Sequence, residues 1–237
     1  MRPYARTVRW ATLLVLAGVV ASCGSRHHLG SFDFAGRTLA IVHVAPRTSD
    51  LRMGVYNAER DDPISMIAAA GSRVAVELEA RRVRARLDSA AARVAMGTRL
   101  ADRTADRTTM YLGARRVDSP AAADYVLDMR IRSFGVSARS WQSAANVFLE
   151  ADVVLIDVAT GTEIWSTEVS GWDNITPHVV RTGEVPRDII TAAGLLTVST
   201  EDLERTLERV VDVSADAVTD ELREKLRDVR RDRITRR

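Results

Sequence analysis

The sequence predicts an α+β fold: a four-stranded mixed sheet, connected strand, helix, three-strand meander, helix, with the long helices packed on one face. Three observations carry that expectation. A β-branched run from Arg37 to Ala45 is stopped by Pro46 and is apolar on both faces, as an interior strand covered on both sides or paired in parallel would be. Three further stretches between residues 123 and 172 alternate with a period of two and lie close enough for an antiparallel meander. Two long stretches, Ile64 to Met96 and Thr200 onward, repeat apolar residues at helical spacing.

In the first strand Ala40, Val42 and Val44 oppose Leu39, Ile41 and Ala45, and His43 among them reads as a core or rim residue. Residues 47 to 62 are polar apart from the patch Met53-Gly54-Val55-Tyr56, and Asp61-Asp62-Pro63 marks a helix start. Val74, Leu78, Val83 and Leu87 form the buried stripe of that helix, with Gly71 as a candidate interruption. Arg73, Arg81, Arg82, Arg84 and Arg86 read as its solvated face, with their stems over apolar neighbours. An anionic docking face is the sharper alternative. Gly97 to Val117 is open to two readings, a second helix carrying Leu100, Thr104 and Tyr111 or a surface excursion.

The meander begins at Ala123, where Tyr125, Leu127, Met129 and Ile131 point one way and Val126, Asp128, Arg130 and Arg132 the other. From Asn146 to Val158, Val147, Leu149, Ala151, Val153 and Leu155 point inward and Glu150 and Asp152 outward. The outward arginines and acids read as cross-strand pairs, each worth a few tenths of a kcal/mol when exposed, and not as catalytic carboxylates. Ala159 to Thr162 is a hairpin turn and Glu163 to Trp172 the returning strand. Residues 173 to 186 form a loop, followed by a short helix from Arg187 to Leu195. Ser199 is the N-cap of the last helix, with Glu201 and Asp202 in its first turn and Leu203, Leu207, Val210, Val211, Ala217, Leu222 and Leu226 along its buried side. Its terminal arginines complement the helix dipole, with contact to anionic glycans or lipid headgroups as the alternative.

Ahead of the domain, Arg2, Arg6 and Arg9 precede an apolar run from Trp10 to Val20. That run falls short of the roughly 20 residues a bilayer span needs, so it reads as the core of a signal peptide. Ala21 and Ser22 lead directly into Cys23, the only cysteine. Val20-Ala21-Ser22-Cys23 resembles the bacterial lipobox. The resemblance implies that residues 1–22 are removed and that Cys23 becomes the lipidated first residue, carrying a diacylglycerol and an amide-linked acyl group. Residues 23–31 are then the tether and 32–237 a single periplasmic domain. With Cys23 acylated no disulfide is available. Gly24 and Ser25 follow the cysteine without an aspartate, which by analogy with enterobacterial sorting implies the outer membrane, facing the periplasm.

The chain has 46% hydrophobic and 28% charged residues, which excludes intrinsic disorder, and a formal charge of +2 that offers no nucleic-acid surface. The sequence shows no phosphate-binding glycine loop, zinc-ligand spacing, nucleophile elbow or Cys/His pair. Its four histidines are scattered, and the side chains of Asp61 and Asp62 diverge. The chain is therefore expected to have no catalytic residues, no cofactor and no metal, and not to be an enzyme.

The order strand, long helix, Ala-Asp-Tyr-Val-Leu (Ala123 to Leu127), long strand ending Leu155-Ile156-Asp157, turn, Ile164-Trp165 and last helix resembles the periplasmic lipoprotein group that includes curli-secretion lipoproteins and auxiliary lipoproteins of ABC-type transport systems. It covers most of residues 35 to 226. The apolar amphipathic insertions of the pore-forming members are missing, so the resemblance implies a non-enzymatic accessory or scaffold role in envelope transport or assembly, with envelope protein partners and homo-oligomers. The alternative is a periplasmic binding module for a small amphiphile, glycan or lipid, using a cleft between the sheet and the loops at 46–62 and 173–186.

Overall fold

Six strands make the sheet where the sequence predicts four. A computed structural model of the chain describes residues 28–53, 63–139, 144–175, 195 and 198–235. The strands are β1 (Thr38–Val44), β2 (Asp50–Met53), β3 (Arg115–Arg116), β4 (Tyr125–Ala138), β5 (Asn146–Asp157) and β6 (Glu163–Asn174). Their order is β3-β1-β4-β5-β6, with β2 beside β4 beyond the end of β1. β1 runs parallel to β3 and β4, and β4, β5 and β6 form the expected antiparallel meander. The α+β class and the mixed sheet are as expected; the two added strands are the correction. β2 is four residues long, with Leu51 the apolar residue packed on the core among its described side chains, and β3 is two exposed arginines, so neither carries a hydrophobic period long enough to read.

β4 runs six residues past Arg132, the limit suggested by its alternation. Its pairing with β5 shifts between Ile131 and Ser133, a bulge that sets Arg132 outside the register. After it the buried set changes parity, from Tyr125, Leu127, Met129 and Ile131 to Phe134, Val136 and Ala138. A bulge thus conceals the continuation of the strand from any strict period-two reading.

The helices are α1 (Pro63–Val94), α2 (Met96–Leu112) and α3 (Thr200–Thr235). α1 passes Gly71 without a break and ends instead at Ala95, which is left-handed at φ 49° and ψ 49°. The uncertain stretch after residue 97 is therefore largely helical. Its end is set by Gly113, at φ 67°, whose N–H donates to the Thr109 carbonyl. Two residues assigned to buried stripes face solvent: Leu78 is 52% exposed, and Ala217 is exposed while Ala215 and Val218 beside it are buried. Ser199 caps α3 as expected, its Oγ accepting from the Asp202 N–H at 3.0 Å while its hydroxyl donates to Asp202 Oδ2 at 2.6 Å. The short helix expected from Arg187 lies outside the described residues, apart from the buried Leu195.

The helices pack on one face of the sheet, burying Leu127, Met129, Leu149, Leu155 and Trp165 against Leu87, Leu100, Leu207, Val211 and Leu222. α2 and α3 run side by side. Arg99 pairs with Glu208 at 3.0 Å, Arg103 with Asp212 at 3.3 Å and Arg107 with Asp216, and Arg93 of α1 pairs with Glu204 at 2.8 Å. Both numbers rise together along this ladder, so the two helices are parallel. These arginines thus join the helices, each pair contributing little when exposed.

The expected tether is shorter at its domain end than the sequence suggests. Leu29–Ser31 forms a 3-10 turn, Leu29 is buried, and the His28 N–H donates to the Ile164 carbonyl at 2.8 Å. Gly30 lies against Val229 of α3, where an added Cβ would come within 3.0 Å of its Cγ1. An apolar residue near the end of a polar linker has found the core. Cys23 and the leader lie outside the described residues.

Candidate functional site

With the helices on one side, the alternate residues of β4, β5 and β6 lie on a face left uncovered by the described residues. Glu150, Asp152 and Arg132 stand there as the sequence predicts, with Glu168 of β6 beside them, and they do pair across strands. Arg132 Nε lies 3.3 Å from Asp152 Oδ1 and its Nη2 3.2 Å from Glu168 Oε2. Arg130 reaches Asp128 at 2.7 Å.

The strongest arrangement on this face comes from β2. Arg52 donates from Nη1 to Glu150 Oε1 at 2.6 Å and from Nη2 to Oε2 at 2.8 Å, the bidentate geometry that guanidinium and carboxylate favour. The Ser133 hydroxyl donates to Glu150 Oε2 at 2.6 Å. Hydrogen bonds from Arg52, and then from Ser133, hold the Glu150 carboxyl down to about 2, so it is ionised at neutral pH and has no proton to offer as a general acid. The Arg52 guanidinium also sits 4.0 Å above the Phe148 ring. Phe148 pairs with Trp172 across β5 and β6, which puts both rings on this face. Phe148 is buried under Arg52, but the Trp172 side chain is 66% exposed. Arg52 escapes sequence reasoning because β2 is unrecognisable, and Ser133 because it follows the bulge in β4. The available signal is Phe148 itself, an aromatic residue at an outward position of an alternating strand.

His43 is a rim residue at the end of β1. Its Nε2 is 3.5 Å from Thr98 Oγ1, and its ring lies on Gly97, where a Cβ would fall 2.9 Å from Cδ2. Among the described residues no carboxylate is bonded to the other ring nitrogen. The cleft beside it, about 540 Å³, is walled by Ala45, Ala91, Met96 and Phe134, with Arg47 and Asp88 at its polar side. It opens at the start of the first loop where the sequence places a binding cleft; the second loop lies outside the described residues beyond Ile175.

The Ala-Asp-Tyr-Val-Leu motif has a structural use. Asp124 Oδ2 accepts from the Thr38 N–H at 2.8 Å and from its hydroxyl at 2.7 Å, while the Asp124 N–H donates to Thr38 Oγ1 at 2.9 Å. These bonds from Thr38 hold the Asp124 carboxyl below the usual range. The Tyr125 hydroxyl donates to the Asp33 carbonyl at 3.0 Å, and its ring packs on Phe34 at 4.9 Å. The motif staples the starts of β1 and β4 together. Among the described residues no group of three or more His, Cys, Asp or Glu side chains could hold a metal ion, and no helix is long and apolar enough to cross a membrane.

No protein-family model matches the chain, and no curated protein matches it at a significant level. Among solved structures it is similar to a Caulobacter crescentus protein described as a lipoprotein, with a TM-score of 0.35 and 13% identity over 54% of this chain and 82% of that one. It is also similar to the PelC dodecamer from Paraburkholderia phytofirmans, with a TM-score of 0.30 and 12% identity over 79% and 94% of the two chains. Lipoprotein GNA1162 from Neisseria meningitidis is similar with a TM-score of 0.25 and 11% identity over 58% and 83%. Scores this low assign the chain to no family.

Proposed function

We propose that the chain is a non-enzymatic outer-membrane lipoprotein, anchored through Cys23 and facing the periplasm, that serves as an accessory or scaffold component of an envelope transport or assembly system. The observation that carries this reading is the uncovered sheet face, where Trp172 stands largely exposed beside an Arg52–Glu150 pair already locked over Phe148. Tryptophan and arginine dominate the energetics of protein interfaces, and a preformed cluster loses little side-chain entropy on docking. The face is also placed for access. β6 leads from Ile164, bonded to His28, to Trp172 eight residues on, about 27 Å along the strand at the usual rise per residue.

A photoreactive phenylalanine analogue placed at Trp172 in living cells tests the reading. Irradiation is expected to give adducts with envelope proteins that the same analogue at Glu224, exposed on α3, does not give. An adduct of twice the chain mass would identify a homo-oligomer. Adducts at neither position, or the same adducts at both, would contradict a docking role for this face. The binding-module reading is favoured by the cleft beside His43, and a small amphiphile carried through purification in native mass spectra would support it instead.

A further inference from the structure

Arginine on this fold falls into two groups. Along α1 and α2, Arg93, Arg99, Arg103 and Arg107 each face an acid of α3. From Arg227 onward the pattern stops: Arg227, Arg230 and Arg231 are exposed and make no ion pair among the described residues. From Lys225 to Arg237 the sequence holds seven basic side chains against two acidic ones, leaving five net positive charges within thirteen residues. Ile234, 76% exposed, is the one large apolar residue in the last turns of the helix. Dipole complementarity accounts for one or two cations in a final turn, not for a cluster of this size.

The second observation is where this end lies. Gly30 packs on Val229, so the segment leading back to Cys23 leaves the domain beside the basic end of α3. Cys23 is five residues ahead of His28, which limits the separation to about 17 Å of fully extended chain. From Val229 the helix continues for six residues to Thr235, about 9 Å along its axis. A cysteine held at a bilayer interface by its acyl chains therefore keeps His28 within about 17 Å of the headgroups, about two screening lengths at physiological salt, and leaves the basic end beside it free to approach them.

We infer that the basic end of α3 is a docking surface for anionic phospholipid headgroups, which fixes the orientation of the domain on the membrane. The inference rests on the Cys23 reading. The acyl chains supply attachment; the arginines, attracted by the negative surface potential, supply posture. Ile234 sits among the headgroups, the long axis of α3 tilts toward the bilayer normal, and Trp172 is held on the periplasmic side.

The test uses the full lipidated protein with a Thr235→Cys label carrying an environment-sensitive fluorophore, on vesicles containing headgroup quenchers. On phosphatidylcholine with phosphatidylglycerol the label is expected to be quenched several-fold more than on phosphatidylcholine alone, and high salt should reverse the difference. The triple change Arg227→Gln, Arg230→Gln, Arg231→Gln should abolish most of it, and the corresponding Lys triple should retain it. Unchanged circular dichroism is expected for both, because the side chains are exposed. Quenching independent of lipid charge and of the triple change, in protein that floats with both vesicle types, overturns the inference and leaves the anchor standing. Protein that fails to float on neutral vesicles overturns the anchor. Charge-dependent flotation on anionic vesicles alone would then uphold the basic surface, and no flotation on either would overturn it.

Discussion

Leu149→Ala is expected to lower the stability of the domain by about 3–5 kcal/mol. Leu149 is fully buried at the middle of β5, paired with Phe134 on one side and Gly171 on the other. Gly171 has no side chain to swing into a vacancy, and α3 already fills the space above it: an added Cβ there would meet Ser214 Oγ at 2.1 Å. The surroundings of Leu149 are thus strand backbone, a large ring and a helix fixed by its ion-pair ladder, none of which can collapse readily. A cavity that stays open puts the cost at the upper part of the range for leucine truncation. Against a typical total of about 5–15 kcal/mol this is roughly a fifth of the stability or more. Urea unfolding reads it as a lower midpoint at unchanged slope. A loss under about 1 kcal/mol would show that the core lies elsewhere.

Gly135→Ala is expected to detach β2 at a cost of about 3 kcal/mol. Asp50 pairs with Gly135, and a Cβ on Gly135 would lie 1.9 Å from the Asp50 carbonyl oxygen and 2.7 Å from its carbonyl carbon. Backbone cannot rotate aside as a side chain can, so the strand must move. With it goes Arg52, which leaves Glu150 without its main partner and uncovers the Phe148 ring. Hydrogen exchange should show residues 50–53 losing protection while the centre of β5 keeps it. Retained protection over 50–53 would mean that β2 is not held by this close approach. The same variant removes half of the preformed cluster beside Trp172, so crosslinking from that position should fall with it.

How much of this was legible follows from where the hydrophobic period survives. β4, β5 and β6 each bury one side over many residues, β1 is a β-branched run stopped by Pro46, and Ser199 with Asp202 forms a local cap, so these elements show in the sequence. β2 and β3 exist because backbone continues along an edge that β1 leaves free, and no side-chain pattern records that. The α1–α2 break rests on one alanine in a left-handed conformation, which composition does not announce. The bulge at Arg132 shifts the parity of β4 and hides its second half. On the candidate site, Glu150 and Asp152 are legible as outward acids, whereas Arg52, the partner of Glu150, comes from the unreadable strand. The crowding of basic residues near the end of α3 was visible too; its nearness to the tether depends on the Gly30–Val229 contact across most of the chain.

Mass spectrometry of the first residue of the mature chain measures the anchor directly. Cleavage after Ser22 and a Cys23 carrying a thioether-linked diacylglycerol with an amide-linked acyl group is the expected result. A free thiol at Cys23, or a mature chain that starts elsewhere, would contradict it.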